Sequence, residues 1–328
     1  MDTLRELKEK VLNAKRYNFE ELALEIFRFQ ASQNEVYSSY LQYLKVQPRT
    51  VRHLEQVPFL PIEFFKRHRV FCKGLNPVLY FESSGTTGSN TSRHYLSDPD
   101  FYRQVCSNIF QYFYGDLRQY HLFALLPSYL ERQHSSLVFM ARHFAAQAAA
   151  PSGFFLHNQQ ELAADIANAA GQGGKVLLLG VTFALLDFAR DYPAHRPKLL
   201  IMETGGMKGR RKEMVREEVH ESLCSAFAVP AIHSEYGMTE LLSQFYSKAL
   251  GVFEMSPWAR ILLRDITDPF SYEKHGKTGG INVVDLANIE SCSFIQTMDL
   301  GTITRKGAFK VTGRFDTSDL RGCNLMIS

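Results

Sequence analysis

The chain has 328 residues, 45% of them hydrophobic and 22% charged, and its formal net charge at pH 7 is +3. This length and composition are typical of a globular protein with a sizeable core. The small net charge, without a Lys/Arg-rich block between aromatic residues, argues against nucleic-acid binding.

Cysteine usage and apolar runs indicate the compartment. The five cysteines, an odd number with no closely spaced pair, predict neither a disulfide framework nor a zinc site. The charged N-terminus does not resemble a signal peptide, and the longest apolar run, near 176–186, is far shorter than the roughly 20 residues of a membrane span. We therefore expect a soluble, cytoplasmic protein without a transmembrane segment.

The hydrophobic pattern of the N-terminal region is helical. Apolar residues from Phe19 to Phe27 repeat at i, i+3, i+4, i+7 and i+8, which places them on one face of a helix. Pro58 and Pro61 end this pattern and precede a strand that finishes at 78–81. Residues 1–72 are therefore assigned to a helical lead-in.

Beyond the lead-in, apolar runs alternate with helical patterns. Buried strands are predicted at 122–126, 176–179 and 199–202, and helices at 161–170 and 211–227. This alternation predicts an α/β core at 73–250, with mostly parallel sheets flanked by helices. Short strands with turns then predict a β-rich subdomain at 251–328, and we expect one compact catalytic unit.

A run rich in glycine and hydroxyl side chains, ESSGTTGSNTSRH, occupies residues 82–94 directly after the predicted strand. Such a loop suits phosphate, because backbone N–H groups converge at the glycines and the hydroxyls add donors. The candidate ligands are Ser83, Ser84, Gly85, Thr86, Thr87 and Gly88. Gly-Lys-Ser/Thr is missing, which excludes a Walker A loop, and an ordinary turn is the alternative.

Three later segments follow in a fixed order. HSEYGMTEL covers 233–241, QTMDLG covers 296–301, and VTGRFDTSD covers 311–319. Together with the glycine-rich loop they resemble the adenylate-forming superfamily of acyl-CoA synthetases, luciferases and peptide-synthetase adenylation domains. VPFLPIEFFKRHRVF at 57–71 and the C-terminal DLRGCNLMIS are similar to the acyl-protein synthetases of the LuxE type, or long-chain-fatty-acid–luciferin-component ligases.

The resemblance implies ATP-dependent activation of a carboxylic acid, most simply a long-chain fatty acid, to acyl-AMP in the presence of Mg²⁺. Thr86 and Thr87 would hold the β- and γ-phosphates, and Thr239 the α-phosphate. Glu240 would bind Mg²⁺, a hard cation that prefers carboxylate and phosphate oxygens. The alternative for the Thr239–Glu240 segment is a turn into a helix with Thr239 as N-cap.

Further nucleotide contacts follow from the same resemblance. Asp299 would accept both ribose hydroxyls, and Arg314 would contact the ribose or a phosphate. Gly205 and Gly206, in METGGMKGRRK, would lie against the adenine. Tyr236, next to Gly237, would stack on the adenine. The alternatives are a turn residue at the end of a strand for Asp299 and a core residue for Tyr236.

The C-terminus carries the last predicted site residue. Wider relatives continue into a small mobile domain with a catalytic lysine, whereas this chain ends at Ser328. Arg93, Lys208 or Arg314, or a partner subunit, would then supply the positive charge. Acyl-protein synthetases carry the acyl group on a cysteine near the C-terminus and pass it to a partner reductase.

Cys323 matches the position of that cysteine, and a thiolate readily attacks an acyl adenylate to form a thioester. A small apolar residue in a terminal strand is the alternative for Cys323. Two other functions stay open for the chain. One is a stand-alone ligase that delivers acyl groups to CoA or a carrier protein, and the other is a non-catalytic acyl- or nucleotide-binding subunit.

Overall fold

The computed structural model describes residues 2–83, 91–127, 134–156, 158–205, 214–273 and 276–315. The helices in this part of the chain are α1 Asp2–Leu12, α2 Phe19–Gln33, α3 Glu35–Tyr43, α4 Phe64–Arg67, α5 Pro99–Tyr114, α6 Ser136–Gln147, α7 Gln159–Gly171, α8 Thr182–Asp191 and α9 Arg216–Phe227. The strands are β1 Leu60–Pro61, β2 Leu79–Glu82, β3 Arg93–Leu96, β4 Tyr120–Leu125, β5 Gly153–Phe155, β6 Lys175–Val181, β7 Leu200–Thr204, β8 His233–Tyr236, β9 Phe245–Ser247, β10 Phe253–Glu254, β11 Ala259–Arg264, β12 Thr278–Asp285, β13 Phe294–Ile303 and β14 Phe309–Arg314.

One mixed sheet forms the centre of the molecule, in the order β11-β12-β13-β14-β10-β9-β8-β7-β6-β4-β5. The pairs from β8 to β5 are parallel, and the pairs from β9 to β11 are antiparallel. Helices α6, α7 and α8 pack against β4 and β6, which explains why these two strands are apolar along nearly their whole length. The predicted α/β class is confirmed, and its β-rich part continues the same sheet through β9 and β10.

The N-terminal helices bury the apolar face that their sequence predicts. Phe19 and Phe27 of α2 are fully buried, and Phe27 packs edge-on against Phe294 of β13 with 5.8 Å between the ring centroids. Gln30 of α2 donates from Nε2 to the carbonyl of Asn288 at 2.7 Å, in the turn between β12 and β13. The lead-in helices therefore support the antiparallel half of the sheet directly.

The parallel strands β6, β7 and β8 end at the same edge of the sheet. Their last residues, Val181, Thr204 and Tyr236, are aligned through the ladder, because Val181 pairs with Thr204 and Tyr236 follows the partner of Thr204. The chain then reverses direction, since β9 runs antiparallel to β8. The carboxyl edge of parallel strands, next to such a change in direction, is where α/β sheets bind ligands.

A separate two-stranded hairpin, β2 and β3, lies beside the main sheet. It frames residues 84–90, which the structure does not describe. Within the described residues, no helix is both long and apolar enough to cross a membrane.

Candidate active site

A cavity of about 690 Å³ opens at the carboxyl edge of β7 and β8. All the predicted site residues that the structure describes line it, namely Ser83, Gly205, Tyr236, Gly237, Thr239, Glu240, Asp299 and Arg314. The remaining predicted residues lie outside the described residues, namely Ser84, Gly85, Thr86, Thr87, Gly88, Gly206 and Cys323. Segments more than two hundred residues apart in sequence therefore meet in one cavity, between Ser83 and Arg314.

The two ends of the glycine-rich loop are fixed to each other. Ser83 donates its N–H to the carbonyl of Ser92 at 3.1 Å, and the N–H of Ser92 donates to Oγ of Ser83 at 2.9 Å. Glu82 accepts from Oγ1 of Thr91 at 2.8 Å and from Nε of Arg93 at 3.1 Å. These bonds close the stem of the loop between β2 and β3, at the wall of the cavity.

The Thr239–Glu240 segment is a turn held from both sides. His94 of β3 contacts the carbonyl oxygen of Thr239 through Nδ1 at 2.9 Å, so Nδ1 carries the proton. Asn288 donates from Nδ2 to the carbonyl of Glu240 at 2.7 Å. Burial lowers the pKa of His94 to about 4, which keeps the ring neutral near pH 7. The turn leads into β9 and not into a helix, so Thr239 is not a helix N-cap.

The Glu240 side chain is buried and 5% exposed as a residue. Burial raises its pKa, while a hydrogen bond with Ser92, at the stem of the glycine-rich loop, acts in the opposite direction. A nearby cation would stabilise the ionised form of this carboxyl, because it replaces the favourable interactions with water that burial removes. The stem of the glycine-rich loop is therefore in direct contact with Glu240, the candidate metal ligand.

Asp285, at the end of β12, fixes the residues that follow this turn. Its Oδ2 accepts the N–H groups of Leu242 at 2.8 Å and Ser243 at 2.9 Å. Its Oδ1 accepts the hydroxyl of Ser243 at 2.6 Å and the N–H of Ala287 at 3.0 Å. Asp285 is fully buried, so both oxygens depend on these donors. No motif in the sequence marks Asp285 as a residue of the site.

The second predicted group of site residues, for the remaining nucleotide contacts, consists of Asp299, Arg314 and Tyr236. Asp299 and Arg314 stand opposite each other on β13 and β14, with 3.8 Å between Arg314 Nε and Asp299 Oδ1. The hydroxyl of Tyr236 donates to Oδ2 of Asp299 at 2.7 Å. The Tyr236 ring packs against Phe253 and Phe309, with centroids 5.8 and 5.9 Å away. Tyr236 therefore combines a core contact with a place in the cavity wall.

Two buried carboxyls at the ends of β7 and β8, Glu203 and Glu235, also line the cavity, and neither was predicted from the sequence as a site residue. Burial would raise the pKa of Glu203, but the hydrogen bond with His220 and the charge of Arg216 outweigh it and hold that pKa below its usual value. Burial raises the pKa of Glu235 to about 7, against a hydrogen bond from Thr204. For Glu203 the available signal was a glutamate within an otherwise apolar strand, whereas β8, which contains Glu235, is largely polar.

The charge of the cavity wall favours a divalent cation. Its acidic residues are Glu63, Glu82, Glu203, Glu235, Glu240 and Asp299, and its basic residues are Lys66, Arg216 and Arg314. Arg216 lies 3.3 Å from Glu203, while Lys66 forms no ion pair with any residue that the structure describes. A polyphosphate would need a cation to lie beside this excess of carboxylates.

The donor set suits Mg²⁺ bound mainly through its substrate. Among the described residues, no group of three or more His, Cys, Asp or Glu is arranged to hold a metal. Mg²⁺ usually takes one or two protein carboxylates, with phosphate and water oxygens in its other positions. Glu240, buried beside the stem of the glycine-rich loop, fits that role.

The mixed sheet, with a cavity at its carboxyl edge, has the fold that solved acyl-CoA ligases also have. 2-Hydroxyisobutyryl-CoA ligase, in the postadenylation state with R3-HIB-AMP, superposes with a TM-score of 0.66 at 10% identity, over 90% of this chain and 68% of that one. MatB from Rhodopseudomonas palustris with bound ATP gives a TM-score of 0.52 at 17% identity, over 72% and 47%. O-succinylbenzoate-CoA synthetase (MenE) from Bacillus subtilis, with ATP and magnesium ion, gives 0.51 at 15% identity, over 76% and 51%.

These likenesses show the fold, and the chain spans about half the length of MatB and of MenE. A comparison with curated proteins gave no significant match. Residues 9–328 match the family described as acyl-protein synthetase, LuxE, and the chain belongs to that family. The family predicted from the sequence is therefore confirmed.

Proposed function

We propose that this protein uses ATP and Mg²⁺ to convert a carboxylic acid into an acyl adenylate and then transfers the acyl group to the thiol of Cys323. The observation that carries the proposal is the single cavity that contains every described residue of the predicted site. These residues follow β2, lie at or just beyond the ends of β7 and β8, or belong to the β13–β14 pair, and they were predicted for different parts of one nucleotide and its Mg²⁺.

In the first step, a carboxylate oxygen of the acid attacks the α-phosphorus, and the bond from that phosphorus to the β-bridging oxygen breaks. Pyrophosphate leaves and a mixed anhydride remains. Bound Mg²⁺ would neutralise phosphate charge in this step. Thr239 would donate its hydroxyl to an α-phosphate oxygen, and the N–H groups of the glycine-rich loop would hold the other phosphates. Such pre-positioned donors stabilise the negative transition state.

Lys66 is a candidate for a positive charge that would stabilise the transition state of this step. It lines the cavity from α4, and its charge reaches Glu240, where it helps to offset the effect of burial on the pKa. Arg93, Lys208 and Arg314 were predicted for this role from the sequence, and Lys208 lies outside the described residues. Arg93 forms an ion pair with Glu82 at 3.1 Å, which makes Arg93 less available to a phosphate group than Lys66 is.

In the second step, the Cys323 thiolate attacks the acyl carbon, the carbon–oxygen bond to AMP breaks, and the thiol proton passes to solvent. The cysteines that the structure describes are buried or partly buried, namely Cys72, Cys106, Cys224 and Cys292. Burial raises the pKa of Cys72 and of Cys292 to about 12, so neither forms the thiolate readily. A partner reductase is the acceptor that the family resemblance implies for the thioester, and a long-chain fatty acid is the substrate that it implies.

Glu240→Ala tests the first step. The change removes the metal-ligand candidate, and we expect acid-dependent exchange of pyrophosphate into ATP to fall by about 100-fold or more, in line with the loss of a transition-state charge contact. Glu254→Ala, an exposed glutamate on β10, is the matched control. Exchange that persists with unchanged Mg²⁺ dependence in Glu240→Ala would remove Glu240 from the metal site.

Cys323→Ser tests the second step by intact mass spectrometry after incubation with ATP, Mg²⁺ and a panel of acids. We expect the acyl-sized mass gain of the wild-type protein to vanish while pyrophosphate exchange continues. Cys224→Ser, a partly buried cysteine on α9, controls for the loss of a thiol. Acyl groups found on added CoA and never on the protein would instead identify a stand-alone ligase.

A further inference from the structure

Two buried side chains on one wall of the cavity have acceptor lone pairs that no donor in the described residues occupies. Glu235 accepts the Thr204 hydroxyl on Oε2, and its Oε1 lies over Gly237, 2.5 Å from the position that a Cβ would take there. No residue in the described ranges donates to that Oε1. Gln244 donates from Nε2 to the carbonyl of Leu242 at 3.0 Å, while its buried Oε1 has no partner among the residues that the structure describes. Both side chains line the cavity.

An acceptor that is buried without a donor costs about 1–3 kcal/mol, and a charged one costs more. Glu235 is 9% exposed and Gln244 3% exposed, so bulk water does not reach them freely. The wall next to them comes from α5 and α6, through Tyr102 and Met140. This wall is therefore suited to a chain that is partly apolar and also carries a polar group.

We propose that the acid activated by this protein carries a hydrogen-bond donor, a hydroxyl or an amino group, on its acyl chain, and that Glu235 and Gln244 accept from it. This inference rests on the proposed adenylation of an acid and names the class of that acid. A plain hydrocarbon chain would cover both acceptors and leave them without donors. A site built to accept from a substrate group discriminates strongly against the analogue that lacks the group.

The burial of Glu235 is compatible with either donor. Because burial raises its pKa to about 7, the side chain is partly ionised at neutral pH. An ammonium group would favour the ionised form, whereas a hydroxyl can donate to the carboxylate or to the carbonyl oxygen of the protonated form. A hydroxyl and an amino group both donate a hydrogen bond, and the choice of acids in the test distinguishes between them.

The experiment compares matched acids of equal chain length on the full-length protein. For hexanoate and for dodecanoate, the set contains the unsubstituted acid, its hydroxy and amino derivatives at successive carbons, and the corresponding oxo acids. Acid-dependent pyrophosphate exchange gives kcat/KM, and titration calorimetry in the presence of a non-hydrolysable ATP analogue gives binding without turnover. We expect one hydroxy or amino acid to exceed its unsubstituted parent by about 100-fold in kcat/KM.

Two substitutions that nearly keep the shape of the side chain test which residues set the preference for the acid. In Glu235→Gln the amide oxygen must still accept from Thr204, which turns the NH₂ group toward the ligand. The preference should therefore move from the hydroxy or amino acid to the oxo acid. Gln244→Met removes the second acceptor and should lower the ratio between the substituted and unsubstituted acids by about 10-fold, the effect of about one hydrogen bond. A merely structural role would change both acids alike.

The outcomes separate this inference from the proposed function. Exchange and binding that are as good with unsubstituted acids as with any derivative would overturn the donor-bearing substrate and leave adenylation standing. Binding of a donor-bearing acid without any exchange would support the inference and count against adenylation. An unchanged preference in both variants would show that other residues select the acid, and would overturn the assignment to Glu235 and Gln244.

Discussion

Replacing Asp285 with asparagine is expected to destabilise the protein far more than the same replacement at Asp265. Asp285 accepts from four groups, two on each oxygen, and three of the donors are backbone N–H groups that cannot reverse direction. An asparagine can place its oxygen toward Leu242 and Ser243. Its NH₂ group then faces the N–H of Ala287, while the Ser243 hydroxyl can turn to accept.

The magnitude follows from these bonds. One buried N–H loses its partner, which costs about 1–3 kcal/mol, and two bonds to a carboxylate become neutral bonds at a loss of about 1 kcal/mol each. We therefore expect Asp285→Asn to lower the free energy of unfolding by about 3–5 kcal/mol. Asp265 accepts its bonds from Thr267 and Asp268 on a single oxygen, Oδ1, so an asparagine there keeps all of them.

Urea unfolding followed by circular dichroism at constant pH measures both variants against the wild-type protein. The expected result is a large shift of the midpoint for Asp285→Asn and a clearly smaller one for Asp265→Asn, where bonds become neutral but no N–H loses its partner. Equal midpoints for the two variants would refute it, because they would show that the number of carboxylate oxygens in use does not set the cost.

Two further predictions concern Glu235 and the glycine beside it. The pKa of Glu235 is raised from 4.5 to about 7, so its contribution to stability is present below pH 4.5 and is lost as the pH rises through about 7. Glu235→Gln removes this loss, and thermal unfolding should show the variant gaining up to about 3 kcal/mol on the wild-type protein between pH 5 and 8; a gain that is constant with pH would contradict the burial of an ionisable carboxyl. Gly237→Ala should lower kcat/KM for exchange, because its Cβ would lie 2.5 Å from Glu235 Oε1, whereas Gly313→Ala meets nothing within 4 Å and serves as control. Equal activity of the two alanine variants would show that the Glu235 carboxyl moves aside at no cost.

Much of the fold follows from local sequence, because buried parallel strands are short and almost wholly apolar. The strand predicted at 176–179 lies inside β6, and the helix predicted at 161–170 lies inside α7. The helix predicted at 211–227 includes α9, which starts at Arg216 in the part of the chain that the structure describes. Ends of elements depend on caps and tertiary contacts, which explains differences of one to a few residues.

The site was predictable where a motif carries it and not where tertiary pairing supports it. Tyr236 and Glu240 stand in a recognisable segment at the end of one strand. His94, in contrast, acts on Thr239 across 145 positions of the sequence, and Asn288 acts on Glu240 across 48 positions. Such contacts are set by how the hairpin and the β12–β13 turn dock on the sheet. No local pattern encodes that docking.

The bonds between the N-terminal helices and the β12–β13 turn have a consequence for synthesis of the protein on the ribosome. Gln30 binds Ser293 across 263 positions, and Lys8 forms an ion pair with Glu290 across 282 positions. Asn288, in the same turn, supports Glu240. A nascent chain that has exposed only its α/β region lacks this turn, so the metal-ligand candidate cannot take its final position. Loop closure over such distances is slow, and we expect nucleotide binding to arise late, when almost the whole described chain has emerged.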